Sequence, residues 1–206
     1  MLFPRNQLLA LPCIALAALL VACSPPPPVQ IGFIGGLTDR NSDNEQSGLN
    51  GVTLAIEQFN RDGGLDGHMV ELVVRDDAQN RETAAQSAKS LVDARVDAVI
   101  GPFTSGMAEV IVPITGKAGI FQVSPTITSM AFYGKDDNLF RINRTTRDNA
   151  RDYAKVMVER GQKRIAVAYD VRNRNFTESW LREFQEAVES RGAAVVAPVP
   201  YESSSD

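Results

Sequence analysis

The chain has one histidine, His68, and two cysteines, Cys13 and Cys23, in 206 residues. That leaves no material for a His/Cys metal centre or for a Cys–His catalytic pair. Both cysteines precede the part of the chain patterned to fold, so an internal disulfide is excluded there. No sign of charge dominates: 21 Lys and Arg stand against 25 Asp and Glu, a formal net charge of -4. Such a balance gives no reason to expect nucleic acid or an acidic surface as partner. The apolar run from Leu8 to Val21 is broken by Pro12 and is too short for a comfortable membrane span. What is present is 44% apolar and 22% charged, which allows a sizeable core in one or two domains.

Arg5 and the apolar run that follows fit a signal peptide over residues 1–22. The run ends Leu20-Val-Ala-Cys23, which resembles the lipobox of bacterial lipoproteins. That resemblance implies cleavage before Cys23 and lipidation of its thiol, with two or more acyl chains for a stable anchor. An ordinary signal peptide or an uncleaved anchor is the plainer alternative. Ser24 after the cysteine matches the outer-membrane sorting tendency of Gram-negative lipoproteins. Pro25 to Pro28 favour an extended segment, so residues 23–29 read as a short stiff tether.

From there the hydrophobic pattern alternates between strand and helix. Val29–Ile34 reads as a strand, and the polar stretch to Ser47 as a loop. A helix over 47–60 is expected to bury Leu49, Val52, Ile56 and Phe59. Met69–Val74 is a second strand, with Arg75-Asp76-Asp77 as its exit. Asn80 caps a helix to about Arg95 with Ala84, Ala88, Leu91 and Val92 inward. Residues 97–100 form a third strand. A helix follows from Ser105 to Lys117, which Pro113 is expected to kink or break. Ile120–Val123 is a fourth strand and Leu139–Ile142 a short fifth. Then come a helix over 148–160 burying Tyr153, Val156 and Met157, a strand over 164–169 and a polar turn over 170–176. Thr177 is expected to cap the next helix, which carries Trp180, Leu181, Phe184 and Val188. Gly192 ends it, and a strand begins at Val195. This β-α-β order argues for an α/β fold with a doubly wound parallel sheet. A break in the series places one lobe at 30–143 and a second, incomplete lobe at 144–206.

Two hydroxyl-bearing strand ends stand out: Gly101-Pro-Phe-Thr-Ser-Gly106 and Ser124-Pro-Thr-Ile-Thr128. In a parallel sheet both lie at the carboxyl edge, where open α/β folds bind ligands. Thr104, Ser105, Thr126 and Thr128 offer hydroxyls, and a helix N-terminus offers free N–H groups to an anion. The pair reads as half of a cleft for the carboxylate of a small molecule. The plainer alternative is that these residues only cap helices and make turns.

The order and spacing of several short motifs carry a resemblance across residues 30–206. They are Gly48-Leu-Asn-Gly51, Ile56-Glu-Gln-Phe-Asn60 with Gly63-Gly64, Arg75-Asp-Asp77, Val99-Ile-Gly-Pro102, Ser124-Pro125 and Arg164-Ile-Ala-Val-Ala-Tyr-Asp170. The chain resembles the branched-chain amino-acid-binding proteins of bacterial ABC transporters, which have the type I periplasmic-binding fold. The resemblance implies two α/β lobes closing over a ligand, with a first crossover near 141–146. It implies that Ser105, Thr126 and Thr128, with Thr104 as neighbour, hold the ligand, and that Phe176 or Tyr169 faces it from the second lobe. In that family the acids that hold a ligand ammonium come later in the chain. Where amino-acid binders often place an aromatic in the first loop, this chain has Asn44, which points to a more polar ligand.

The expected function is therefore an exported, lipid-anchored solute-binding protein of an ABC importer, facing the periplasm or cell exterior. Its partners are an amino acid or similar small carboxylate, an ABC permease and the membrane; no cofactor, metal or nucleic acid is expected. One alternative is a ligand sensor or protein-docking lipoprotein of the same fold, such as a cell-wall synthase activator. The other is a dinucleotide enzyme, suggested by Gly35-Gly36 after the first strand. Its G-x-x-G-G spacing is not the dinucleotide fingerprint, and Asp76-Asp77 lack a catalytic partner.

Overall fold

The computed structural model describes residues 26–40 and 42–203. The signal-peptide and lipobox expectations, Cys23 included, lie outside them. Among the described residues, seven strands and five helices of more than one turn follow one another, with a single 3-10 turn at Met130–Phe132.

Five strands form one parallel sheet: β1 (Val29–Gly35), β2 (Val70–Asp76), β3 (Ala98–Ile100), β4 (Phe121–Ser124) and β5 (Leu139–Arg141). Their order is β2-β1-β3-β4-β5. The first three helices are α1 (Asp43–Arg61), α2 (Arg81–Asp93) and α3 (Ser105–Lys117). Helices α2 and α3 cover one face, where Ile34, Ala88, Leu91, Val99 and Ile111 make a core. Helix α1 lies against the other face. This arrangement is the doubly wound sheet expected from the sequence. Because β1 lies between β2 and β3, the chain reverses its direction of winding there, and a crevice opens at the carboxyl ends of β1 and β3.

The second unit is smaller. Strands β6 (Arg164–Asp170) and β7 (Ala194–Tyr201) pair in parallel. Helices α4 (Thr146–Glu159) and α5 (Arg174–Glu189) pack over them around Ala150, Ala154, Ile165, Phe184 and Val188. Residues 142–145 connect the two sheets.

Several local expectations change. Helix α1 begins four residues before Ser47, because Asp43 and Glu45 sit in its first turn, where helix N-termini favour acids. Its apolar stripe is only half covered: Phe59 is 52% exposed. It borders a groove of about 580 Å³ lined also by Val29, Ile31, Val52, Ile56 and Phe121. Helix α3 runs unbroken through Pro113, whose exposed position leaves the carbonyl it cannot bond facing water. In α4 the inward residues are Thr146, Ala150 and Ala154, spaced at one helical turn. Tyr153 and Val156 are exposed instead; the small stripe lets α5 approach, and Tyr153 meets Trp180 edge-on at 5.9 Å. Helix α5 begins at Arg174 rather than after Thr177. The Thr177 hydroxyl donates back to the carbonyls of Asp170 and Asn173, so it ties the turn instead of capping it.

Candidate ligand-binding site

The crevice at the ends of β1 and β3 is walled by both units. Its shape starts at Gly48, in the second turn of α1. A side chain there would come within 2.4 Å of the Phe103 ring. Glycine thus lets the start of α1 lie directly on the turn after β3. Phe103 in turn packs on Phe33, with centroids 5.3 Å apart.

Asp76 holds the loop after β1. It accepts from the Leu37 N–H at 2.8 Å and from the Thr38 hydroxyl at 2.5 Å. Burial alone would raise this carboxyl, but the hydrogen bonds from Thr38, Ala78 and Leu37 outweigh it and hold it below the ordinary range. Its neighbour Asp77 is fully buried. Burial pushes it up to about 6, against one bond from the Gln79 N–H, with Asp76, Glu45 and Asp39 adding repulsion. Its second oxygen has no partner.

Thr104, Ser105, Thr126 and Phe176, all expected site residues, line one cavity of about 230 Å³ together with Asn44, Glu45, Phe103 and Asn173. Ser105 opens α3 and is buried. The next residue, Gly106, presents a helix-end N–H, which donates to the Asn173 side chain at 3.0 Å. The Thr104 hydroxyl donates to Gln79 at 3.0 Å, tying the exit of β3 to that of β2. The Thr126 hydroxyl is committed to the Phe103 carbonyl, which ties the two key turns to each other. Thr128 does not line this cavity. It is buried, its carbonyl accepts from the Thr146 N–H at 2.8 Å, and its hydroxyl has no partner. Tyr169 lines a separate cavity over β6 and β7, which Phe176 also borders. Phe176 belongs to the first turn of α5 rather than to the turn before it.

A second cavity, of about 160 Å³, shares Glu45, Thr104 and Asn173 with the first and continues to Asp39, Gln79, Asp170, Arg172 and Ser203. Arg172 bonds Asp39 at 2.7 Å, from the smaller unit to the larger. Asn175 likewise reaches Glu109, and Ser179 accepts from the Met130 N–H at 3.2 Å. These bonds draw the units together across the crevice. Sequence reasoning missed Glu45, Gln79, Arg172 and Asn173. Glu45 was hidden in a polar stretch read as loop, and Asn173 in a turn with no distinguishing signal. The glycines after β1 have a structural use: a side chain at Gly36 would come within 2.6 Å of the Gln79 amide. Gly36 makes room for that side chain and Gly35 for those of Glu45 and Phe103, which gives both glycines a packing role in place of a dinucleotide loop.

A crevice between two parallel α/β units, lined by hydroxyls, a helix N-terminus and an aromatic from the facing unit, is the architecture of a two-lobed α/β protein with a cleft between its lobes. The sequence agrees: the profile of the periplasmic binding protein family matches residues 28–206, and the chain belongs to that family. It is 31% identical over 101 residues to the Leu/Ile/Val-binding protein BraC3 of Rhizobium johnstonii, covering 49% of this chain and 28% of that protein. It is 26% identical over 196 residues to the Leu/Ile/Val-binding protein of Citrobacter freundii, covering 93% of this chain and 52% of that one. Among solved structures, the ABC transporter substrate-binding protein of Desulfitobacterium hafniense in complex with Leu superposes with a TM-score of 0.70. It is 25% identical, and the match covers 85% of this chain and 51% of that one. The chain thus spans about half the length of the Citrobacter and Desulfitobacterium proteins, and less of the Rhizobium one. These relatives are binding proteins, not enzymes.

Proposed function

We propose that the protein is an extracytoplasmic solute-binding lipoprotein of an ABC importer, and that it captures an amino acid or related small carboxylate between its lobes. One observation carries this reading. The start of α3 points Ser105 and the Gly106 N–H into a crevice that the smaller unit closes with Asn173 and Phe176. A helix N-terminus of this kind favours an anion; the Ser105 O–H and the Gly106 N–H, once the ligand displaces Asn173 from it, are the donors that define where its oxygens sit.

Ser105 supplies a hydroxyl donor at the carboxylate end, Thr104 and Thr126 line it with their hydroxyl protons given to Gln79 and Phe103, and the unpaired Thr128 hydroxyl is a further donor for a ligand that reaches it. Phe176 supplies an apolar lid from the second lobe. The ligand settles first on the larger lobe; closure then follows about the connection at 142–145, completed by contacts such as Arg172–Asp39. The closed form is the one that a membrane permease recognises. Lipidation of Cys23 holds the protein at the membrane surface.

The test is a thermal-shift screen of the full-length protein, expressed without residues 1–23, against amino acids, small amides and carboxylates. A saturable rise with one carboxylate class is expected. Ser105→Ala should weaken that ligand by about 1.5–3 kcal/mol, the worth of a hydrogen bond to a charged group. If no member of the set shifts the transition, solute capture is wrong and a docking or sensing role takes its place.

A further inference from the structure

Among the described residues, Glu45 is the carboxylate lining the two cavities that is in no ion pair and accepts no hydrogen bond from another residue. It is 5% exposed, yet it lines both cavities, on the seam where they join. Among the described residues its carboxylate meets only its own backbone N–H, with no cation or hydroxyl bonded to it. The other acids of the second cavity are engaged. Asp39 is bonded to Arg172, and Asp170 accepts from the Arg172 N–H at 2.9 Å and the Ser203 N–H at 3.4 Å. Among the residues lining that cavity, Arg172 is the cation beside Asp39, Asp170 and Glu45.

A position in the first turn of a helix accounts for an acid at residue 45. It does not account for the burial, since such acids ordinarily stay in water, where ionisation costs nothing. Burial raises the Glu45 carboxyl above its ordinary range, its own N–H partly offsets this, and Asp39 and Asp43 add to it. A cation delivered beside it would reverse that penalty.

We propose that Glu45 is a specificity-determining residue that selects a small carboxylate bearing a cationic nitrogen at its far end. This rests on the solute-capture reading above. The ligand carboxylate occupies the Ser105 and Gly106 end of the first cavity, and its chain passes Thr104. Its nitrogen reaches Glu45 at the mouth of the second cavity, where the nearby carboxylates of Asp39 and Asp43 add to the negative potential at Glu45. An aliphatic tip in the same place would bury Glu45 beside hydrocarbon with no gain.

The test compares matched ligands that differ only at the tip: lysine against norleucine, and ornithine against norvaline. Binding is measured by calorimetry on the full-length protein expressed without residues 1–23. The wild type should bind one cationic member at least tenfold more tightly than its aliphatic partner. In Glu45→Gln that preference should fall within about threefold, through loss of the cationic ligand alone. Equal or tighter binding of the aliphatic members, still weakened by Ser105→Ala, overturns the role of Glu45 and leaves solute capture intact. Equal loss of both members in Glu45→Gln also overturns it, since that is what a merely structural residue would show. If neither pair nor any other carboxylate binds, solute capture fails and this inference with it.

Discussion

The side-chain carbonyl of Asn173 accepts a 3.0 Å hydrogen bond from the backbone N–H of Gly106, so a residue of the smaller unit sits on the positive end of α3. It occupies a donor that the ligand carboxylate is proposed to use. Ligand and Asn173 therefore compete for one N–H. Asn173→Ala should cost the unliganded protein about 0.5–1.5 kcal/mol, the net worth of one hydrogen bond. The same change frees the donor and should tighten carboxylate binding several-fold. Asn173→Asp puts a fixed negative charge at that end and should weaken it. Thermal melts and calorimetric titration of both variants give the signs; the same sign in both would remove the α3 end as anchor.

The second prediction concerns pH. The folded-state value for Asp77, about 6, lies above its ordinary 3.8. A carboxyl raised on folding binds its proton more tightly in the native state, so stability falls as pH rises through that window. Glu45 is raised too and acts with the same sign. Asp76 is lowered, but its contribution is lost only when pH falls towards and below 3.8. Unliganded stability should therefore decline between about pH 4 and pH 6.5. The Asp77 share is at most about 3 kcal/mol at 1.36 kcal/mol per unit. Asp77→Asn keeps an acceptor for Gln79 and should flatten much of the slope. Denaturant titrations at several pH values would read it; an unchanged slope would mean that Asp77 ionises freely in the folded protein.

Most of the fold was legible because its strands are apolar runs and its helices carry periodic faces. Asn80 capped α2 as its side chain required, accepting from the Glu82 and Thr83 N–H groups. The misreadings share a cause. Periodicity reports which residues are apolar, not which face finds a neighbour, so Tyr153 and Phe59 were placed inward while Ala150 and Thr146 took the contact. The candidate site was legible in part: of the cavity's lining, Phe176 came from the resemblance. Thr104, Ser105 and Thr126 follow from strand ends at a carboxyl edge, a rule about topology. Glu45 and Asn173 depend on how a helix start and a turn lie against that edge, which no local pattern encodes. Thr128 was named with Thr126 from the same strand end and the resemblance, but it is buried outside this cavity with its carbonyl on the Thr146 N–H.

A third prediction follows from the sequence Leu20-Val-Ala-Cys23. If Cys23 carries the anchor, Cys23→Ser should abolish incorporation of labelled fatty acid and release the protein from the membrane fraction. Two or more acyl chains hold a protein stably, whereas an unlipidated chain with more acids than bases has little attraction for an anionic bilayer. Retention of the variant in washed membranes, with its leader removed, would show that another segment does the anchoring.

The Thr128 hydroxyl offers a test in which the two states should move in opposite directions. It is buried and unpaired in the unliganded protein. An unsatisfied buried polar group costs about 1–3 kcal/mol, so Thr128→Val, which keeps the shape and removes the oxygen, should stabilise the unliganded protein by up to about that amount. If a ligand oxygen supplies the missing partner, the same variant should bind its ligand more weakly, by at least about 1 kcal/mol. Melting temperature should then rise without ligand and gain less when ligand is added. A variant that is more stable but binds as the wild type does would confine Thr128 to packing beside Thr146, and would leave Ser105 as the hydroxyl donor of the site. A variant less stable in both states would show that the hydroxyl has a partner within the folded chain.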